Sequence, residues 1–274
     1  MKRKIIRMLI PLLGLCFQSM AQGDLLVTPS RVVFEGNKQK EELNVVNIGK
    51  DTAIYSITFV QRKMNEDGSF VTIETPDSGQ MFADPFLRVF PRKVTLAPGE
   101  PQSVMVQYRR KADMLPGEYR SHLYFRSEKS YVPLGMNKSA KDSTLLSVQL
   151  IPIFGITIPV IIRTGDVNIA SSLSDLKLDL NQDTIYSLKL TIHRTGNISV
   201  YGDVIVQYIP VEGKPYEIGS VKGLGVYTNI NKRNITVRLN NRTGNKFKNG
   251  KLNVQYISNG ESKRVVYAEG ELEL

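Results

Sequence analysis

The segment that most constrains this chain is the apolar run at residues 147–163, SVQLIPIFGITIPVIIR, which opens on Ser147 and closes on Arg163. Residues 145–162 carry no charge, and about 18 apolar residues can cross a bilayer as a helix. Pro152, Gly155 and Pro159 would break such a helix in three places, and Ile151, Ile153, Ile156, Ile158, Val160, Ile161 and Ile162 are β-branched residues that favour strands. As one straight strand at about 3.3 Å per residue the run would exceed ~50 Å, against ~17–20 Å for a usual strand. Proline cannot donate to a ladder, so part of the run must face an open edge or a bulge. The run therefore reads as a long, kinked edge strand. Its apolar residues are covered either by the protein's own loops or by a strand from a partner, the mode called β-augmentation.

Residues 1–21 have the layout of a secretory signal. Lys2, Arg3, Lys4 and Arg7 precede a short apolar core, and Ser19, Met20 and Ala21 fit a small-x-small cleavage site, so the mature chain is expected to begin at Gln22. The single cysteine, Cys16, falls inside that segment, which predicts an exported product without thiols or disulfides, as suits a bacterial envelope. Without the four basic residues of the leader, 36 Lys and Arg become 32 against 26 Asp and Glu, a formal charge of +6. These charges are scattered, without the interleaved aromatics of a single-strand-binding groove, so no nucleic acid partner is expected. No stable membrane insertion is expected either.

From Leu25 onward the pattern is alternation at period two broken by turn residues, with no helical stripe of useful length. The segments LLVTPSRVVFEG, EELNVVNIG, TAIYSITFVQR, GSFVTIE, FLRVFPRKVTLAPG, PQSVMVQYRR and EYRSHLYFRS each read as a strand with its exit. Seven such strands in about a hundred residues predict an immunoglobulin-like sandwich. After Arg163, the polar break Thr164, Gly165, Asp166 suits a domain hinge, and a second series of strands follows. The expected fold class is all-β, two immunoglobulin-like β-sandwiches in tandem: a signal peptide at 1–21, an N-terminal domain at 22–164 and a C-terminal domain at 165–274. The second domain contains an echo, Arg194-Thr195-Gly196-Asn197 followed by Val206-Gln207-Tyr208, and Arg242-Thr243-Gly244-Asn245 followed at the same spacing by Val254-Gln255-Tyr256.

Signals for catalysis are thin. His122 and His193 are the only histidines, and neither has the carboxylate or second-histidine spacing of a metal site. No Gly-x-Ser-x-Gly elbow occurs, and Gly219, Gly223 and Gly225 do not follow a strand and open a helix as a dinucleotide site requires. The sequence predicts no enzyme, no metal and no cofactor.

Four pieces carry a resemblance. They are Ser30-Arg31-Val32-Val33-Phe34-Glu35-Gly36, the strand from Leu43 to Asn47, Leu96-Ala97-Pro98-Gly99, and Leu115-Pro116-Gly117-Glu118-Tyr119-Arg120-Ser121. In order and spacing over residues 25–163 they are similar to the N-terminal domain of the periplasmic pilus-assembly chaperones of the chaperone/usher pathway. The resemblance implies a periplasmic chaperone that caps pilus or surface-protein subunits by lending them the strand at 147–163, with an outer-membrane usher as a further partner. By position Val148, Leu150 and Phe154 would be the donated residues, and Arg31 would anchor the subunit's terminal carboxylate. The family pairs that arginine with a lysine, where this chain has Pro159 when Arg163 is aligned with the arginine that ends the family's long strand; either another base such as Arg88, Arg92 or Arg163 substitutes, or the chain departs from the standard anchoring. The other class left open is a structural or adhesive envelope protein that uses the same sandwich without chaperone activity.

Overall fold

A computed structural model describes residues 24–128, 153–181, 185–240, 247, 249–259 and 264–274. The expected signal peptide, Val148 and Leu150 lie outside the described residues. In chain order the first domain has β1 (Leu25–Thr28), β2 (Val32–Phe34), β3 (Lys40–Asn47), β4 (Ala53–Val60), β5 (Arg62–Met64), β6 (Phe70–Thr72), β7 (Leu87–Phe90), β8 (Lys93–Leu96), β9 (Pro101–Tyr108), β10 (Gly117–Ser127) and β11 (Gly155–Thr164). The second has β12 (Ile169–Asn181), β13 (Ile185–Gly196), β14 (Val200–Pro210), β15 (Tyr216–Val226), β16 (Lys232–Arg238), β17 (Gly250–Ser258) and β18 (Val266–Glu273). Among the described residues the only helical element is one 3-10 turn, Asp84–Phe86.

Two sheets face each other in the first domain, ordered β1-β3-β9-β7 and β2-β11-β10-β4-β8. Lettered in chain order, these are the A-B-E-D and G-F-C sheets of an immunoglobulin sandwich. Alternation produces the core: Leu43 and Val45 of β3, Val104 and Val106 of β9, and Leu123 and Phe125 of β10 point inward. Two runs that alternate without a break in the sequence each divide between sheets. The 25–36 run leaves β1 at Pro29 and re-enters the opposite sheet as β2, and the 86–99 run does the same at Pro91 between β7 and β8. Both X–Pro bonds are cis.

The second domain packs β12-β13-β16 against β15-β14-β17-β18 around a separate core that includes Leu188, Ile192, Val206, Val237, Val254 and Tyr256. The two copies of the Val-Gln-Tyr echo pair with each other, Val206 opposite Val254. The chain crosses between domains at Gly165, whose φ is +67° and whose missing Cβ would stand 2.7 Å from Pro116 Cβ. Only glycine fits both the left-handed backbone and that approach.

β11 is the element that matters for the site. On one side it pairs with β10 over its whole length; on the other, β2 covers only Val160 to Ile162, in parallel. Among the described residues of β11, the edge expected for the whole run is closed by β2 at Val160 to Ile162 and is open on the N-terminal side of that pairing, at Gly155 to Pro159. Ile162, Val160 and Ile158 share the core face of β11, with Ile156 half-buried on the same face. Exposure rises along that face from 3% at Ile158 to 40% at Phe154, so the strand emerges from its own sandwich toward its N-terminal end.

Candidate functional site

Side chains alternate across a strand, so the face of β10 opposite the core carries Glu118, Arg120 and His122, beside Arg163, Ile161 and Pro159 of β11. This face meets the second domain. Glu118 and Arg120 are only 1% and 2% exposed. A buried carboxylate needs partners to stay charged, and Glu118 has several. Its Oε1 accepts from Arg120 Nη2. Its Oε2 accepts from Ser199 N at 3.0 Å, Ser199 Oγ at 2.7 Å and Arg163 Nε at 3.2 Å. Burial alone would raise its pKa, but Arg120, Arg163 and the Ser199 bonds more than offset it and hold the carboxyl at about 2. Arg163 Nη2 also donates to the Ser199 carbonyl at 3.1 Å, and Arg120 lies 3.4 Å from the ring centroid of Tyr227. Ser199 and Tyr227 belong to the second domain, so the network joins the two sandwiches.

A second bridge comes from the β5–β6 hairpin. Asn229 Nδ2 donates to the Met64 carbonyl at 2.8 Å, Asn234 N to the Glu66 carbonyl at 2.7 Å, and Lys232 Nζ stands 3.3 Å from Glu66 Oε2. His122 lies between the bridges, with its ring stacked on Tyr227 at 6.2 Å and edge-on to Phe70 at 5.9 Å. Burial first, then Arg120 and Arg62, press its pKa down to about 3, so the imidazole is neutral at pH 7.

Between the bridges lies a cavity of about 220 Å³ lined by residues of both domains, among them Arg31, Phe70, Pro159, Tyr201, Tyr227 and Arg233. Arg31 sits in the switch between β1 and β2, next to Pro159 across the β2–β11 pairing. Its guanidinium rests 4.3 Å from the Tyr201 ring centroid. Among the described residues no hydrogen bond or ion pair engages it, whereas Arg120 and Arg163 are paired with Glu118. Burial, reinforced by Arg120, pulls Arg31 down to about 10. It remains a cation at neutral pH, and an anion in the cavity would relieve its lost solvation.

The sequence candidates fall into three groups. Arg31 reaches the cleft. Phe154 precedes β11 and lines a smaller cavity, about 200 Å³, with Leu25, Tyr55 and Phe125, while Val148 and Leu150 lie outside the described residues. The three proposed substitutes for the missing lysine do not line the Arg31 cavity: Arg88 donates to the Leu87 carbonyl at 2.8 Å, Arg92 is exposed, and Arg163 serves Glu118. The cavity's second cation is Arg233, which the sequence did not single out. No short-range signal marks it, because contact with the first domain brings it there. Among the described residues no group of three or more His, Cys, Asp or Glu could hold a metal ion, and no helix is long and apolar enough to cross a membrane.

No family model matches the sequence, and no curated protein matches it. Among solved structures, the chain is similar to the YadV chaperone at 12% identity and a TM-score of 0.44, covering 92% of this chain and 100% of that one. It is similar at 12% identity and a TM-score of 0.45 to the chaperone–tip adhesion subunit complex CsuC–CsuE of the archaic chaperone-usher Csu pili of Acinetobacter baumannii, covering 89% and 97%. The E. coli chaperone DraB is similar at 14% identity and a TM-score of 0.42, covering 91% and 96%.

Proposed function

We propose that this protein is a non-enzymatic chaperone of the periplasm that caps incompletely folded pilus or surface-protein subunits by edge-strand pairing. The observation that carries this reading is the position of Arg31. It stands just before the start of β2, where the free edge of β11 ends at Pro159, with no hydrogen bond or ion pair among the described residues, whereas Arg120 and Arg163 are committed to Glu118. A strand added along Gly155 to Pro159 would lie in line with β2. For its terminal carboxylate to meet Arg31, that strand must run parallel to β11, as β2 does. Main-chain pairing would supply affinity, and the emerging face through Phe154, continued by Leu150 and Val148, would fill apolar pockets of the subunit. Arg31 would fix the register by a charge-assisted bond. An outer-membrane usher would receive the complex.

Fractionation of the native envelope tests this reading. The expected result is a soluble, periplasmic one-to-one complex with a smaller β-rich protein. Recovery of the protein itself on the cell surface or in a polymer would overturn it in favour of a structural or adhesive role.

A further inference from the structure

Resting on the carboxylate-anchor reading above, we infer that Arg233 is the second cation of the anchor, and that the cavity it shares with Arg31 selects a chain end whose last side chain is aromatic. Both arginines line one cavity of about 220 Å³, and no carboxylate lies within ion-pairing distance of either among the described residues. Burial costs each guanidinium part of its solvation, and an anion placed in the cavity they share would restore it to both. Arg233 is itself held in place. Its Nη1 donates to the Gly225 carbonyl at 2.7 Å, and its guanidinium packs on the hairpin turn at Gly68, where a Cβ would stand 2.2 Å from Nη2. Its Nε is buried without a hydrogen-bond partner among the described residues. Burial lowers its pKa from the usual arginine range, against the opposing pull of Tyr256, Tyr227 and Asp67.

The remaining walls define the rest of the ligand. Met64, Phe70, Pro159, Tyr201 and Tyr227 give the cavity an apolar, aromatic wall beside its polar surface at Ser30 and the two arginines, and a ring can pack on that wall while the carboxylate meets the cations. The hairpin bonds from Met64 to Asn229 and from Glu66 to Asn234 close the cleft beside the cavity. A polypeptide passing through would have to displace them, whereas a chain that terminates there would not. Arg233 thus does from the second domain what Pro159 cannot do from β11.

The test titrates the mature full-length protein with N-acetyl-Val-Thr-Phe bearing a free carboxylate, its C-terminal amide, and N-acetyl-Val-Thr-Ser as the free acid, followed by calorimetry and by the arginine Nε–H NMR signals. The Phe acid is expected to bind and to shift the signals of both Arg31 and Arg233, with the amide and the Ser acid each weaker by about tenfold or more. R233Q should lose about tenfold, R233K should recover most of it, and both should unfold near the wild-type temperature. If R31Q weakens binding while R233Q and wild type bind alike, the anchor reading stands and Arg233 is not part of it. Equal loss in R233Q and R233K would make Arg233 a packing residue and overturn the inference. Equal binding of the Ser and Phe acids would overturn the aromatic selection. If acid and amide bind alike, or the acid fails to bind up to about 10 mM, the carboxylate anchor itself fails.

Discussion

Glu118 is the residue on which the cleft depends, because it is the anion that Arg120 and Arg163 share with Ser199. Removing one partner of a buried ion pair costs roughly 3–5 kcal/mol, since the remaining charge is left uncompensated. Glu118→Gln is therefore expected to lower the unfolding free energy by an amount in that range, measured by urea unfolding at pH 7. The sign of its pH dependence follows from its depressed pKa. The stabilisation is full above the unfolded value near 4.5 and is lost as pH falls through about 2, an amount of about 3 kcal/mol. His122 acts earlier. Its pKa falls from 6.5 to about 3 on folding, so the unfolded chain takes up the proton first and stability declines as pH falls below about 6.5. Between pH 6.5 and 5.5 that slope is about 1.4 kcal/mol per pH unit at most. His122→Phe should flatten it, and urea midpoints at those two pH values check the expectation.

At the scale of elements, β11 divides into a part that holds the sandwich together and a part that leaves it. Ile158 is packed in the core and Phe154 is 40% exposed on the same face. Ile158→Glu should unfold the free protein or cost several kcal/mol, while Phe154→Glu should cost about 1 kcal/mol in the free protein yet abolish partner binding. Thermal unfolding of both unbound variants separates the two parts. Much of this was legible in the sequence. Period-two alternation exposed the strands, and the break at Gly165 corresponds to a left-handed residue packed on Pro116. Other features were hidden for physical reasons. Alternation reads the same whichever sheet a strand joins, so the switches at Pro29 and Pro91 did not show. The edge length of β11 depends on where β2 stops, which only pairing reveals. Arg163 looked like a spare cation because its partner, Glu118, is 45 residues away. Arg233 could not be found at all, since its surroundings come from the other domain's hairpin.

At the scale of the whole molecule, two bridges clamp the sandwiches around one cationic cavity: the Glu118 network, and the β5–β6 hairpin on Asn229 and Asn234. The cleft is thus built before any partner arrives, and binding pays little ordering cost. Gly68→Val would push the Arg233 guanidinium out of its place and strain a turn residue whose φ is +84°, and should weaken partner binding while each sandwich stays folded, which amide hydrogen exchange in the two cores would verify. The most direct test of the central claim is retention of the native partner by Arg31→Ala, read by native mass spectrometry of the protein isolated from the periplasm. The partner's buried carboxylate would be left unpaired, so the one-to-one complex is predicted to fall at least tenfold, with the unbound variant melting near the wild-type temperature. Full retention of the complex by Arg31→Ala would contradict the account.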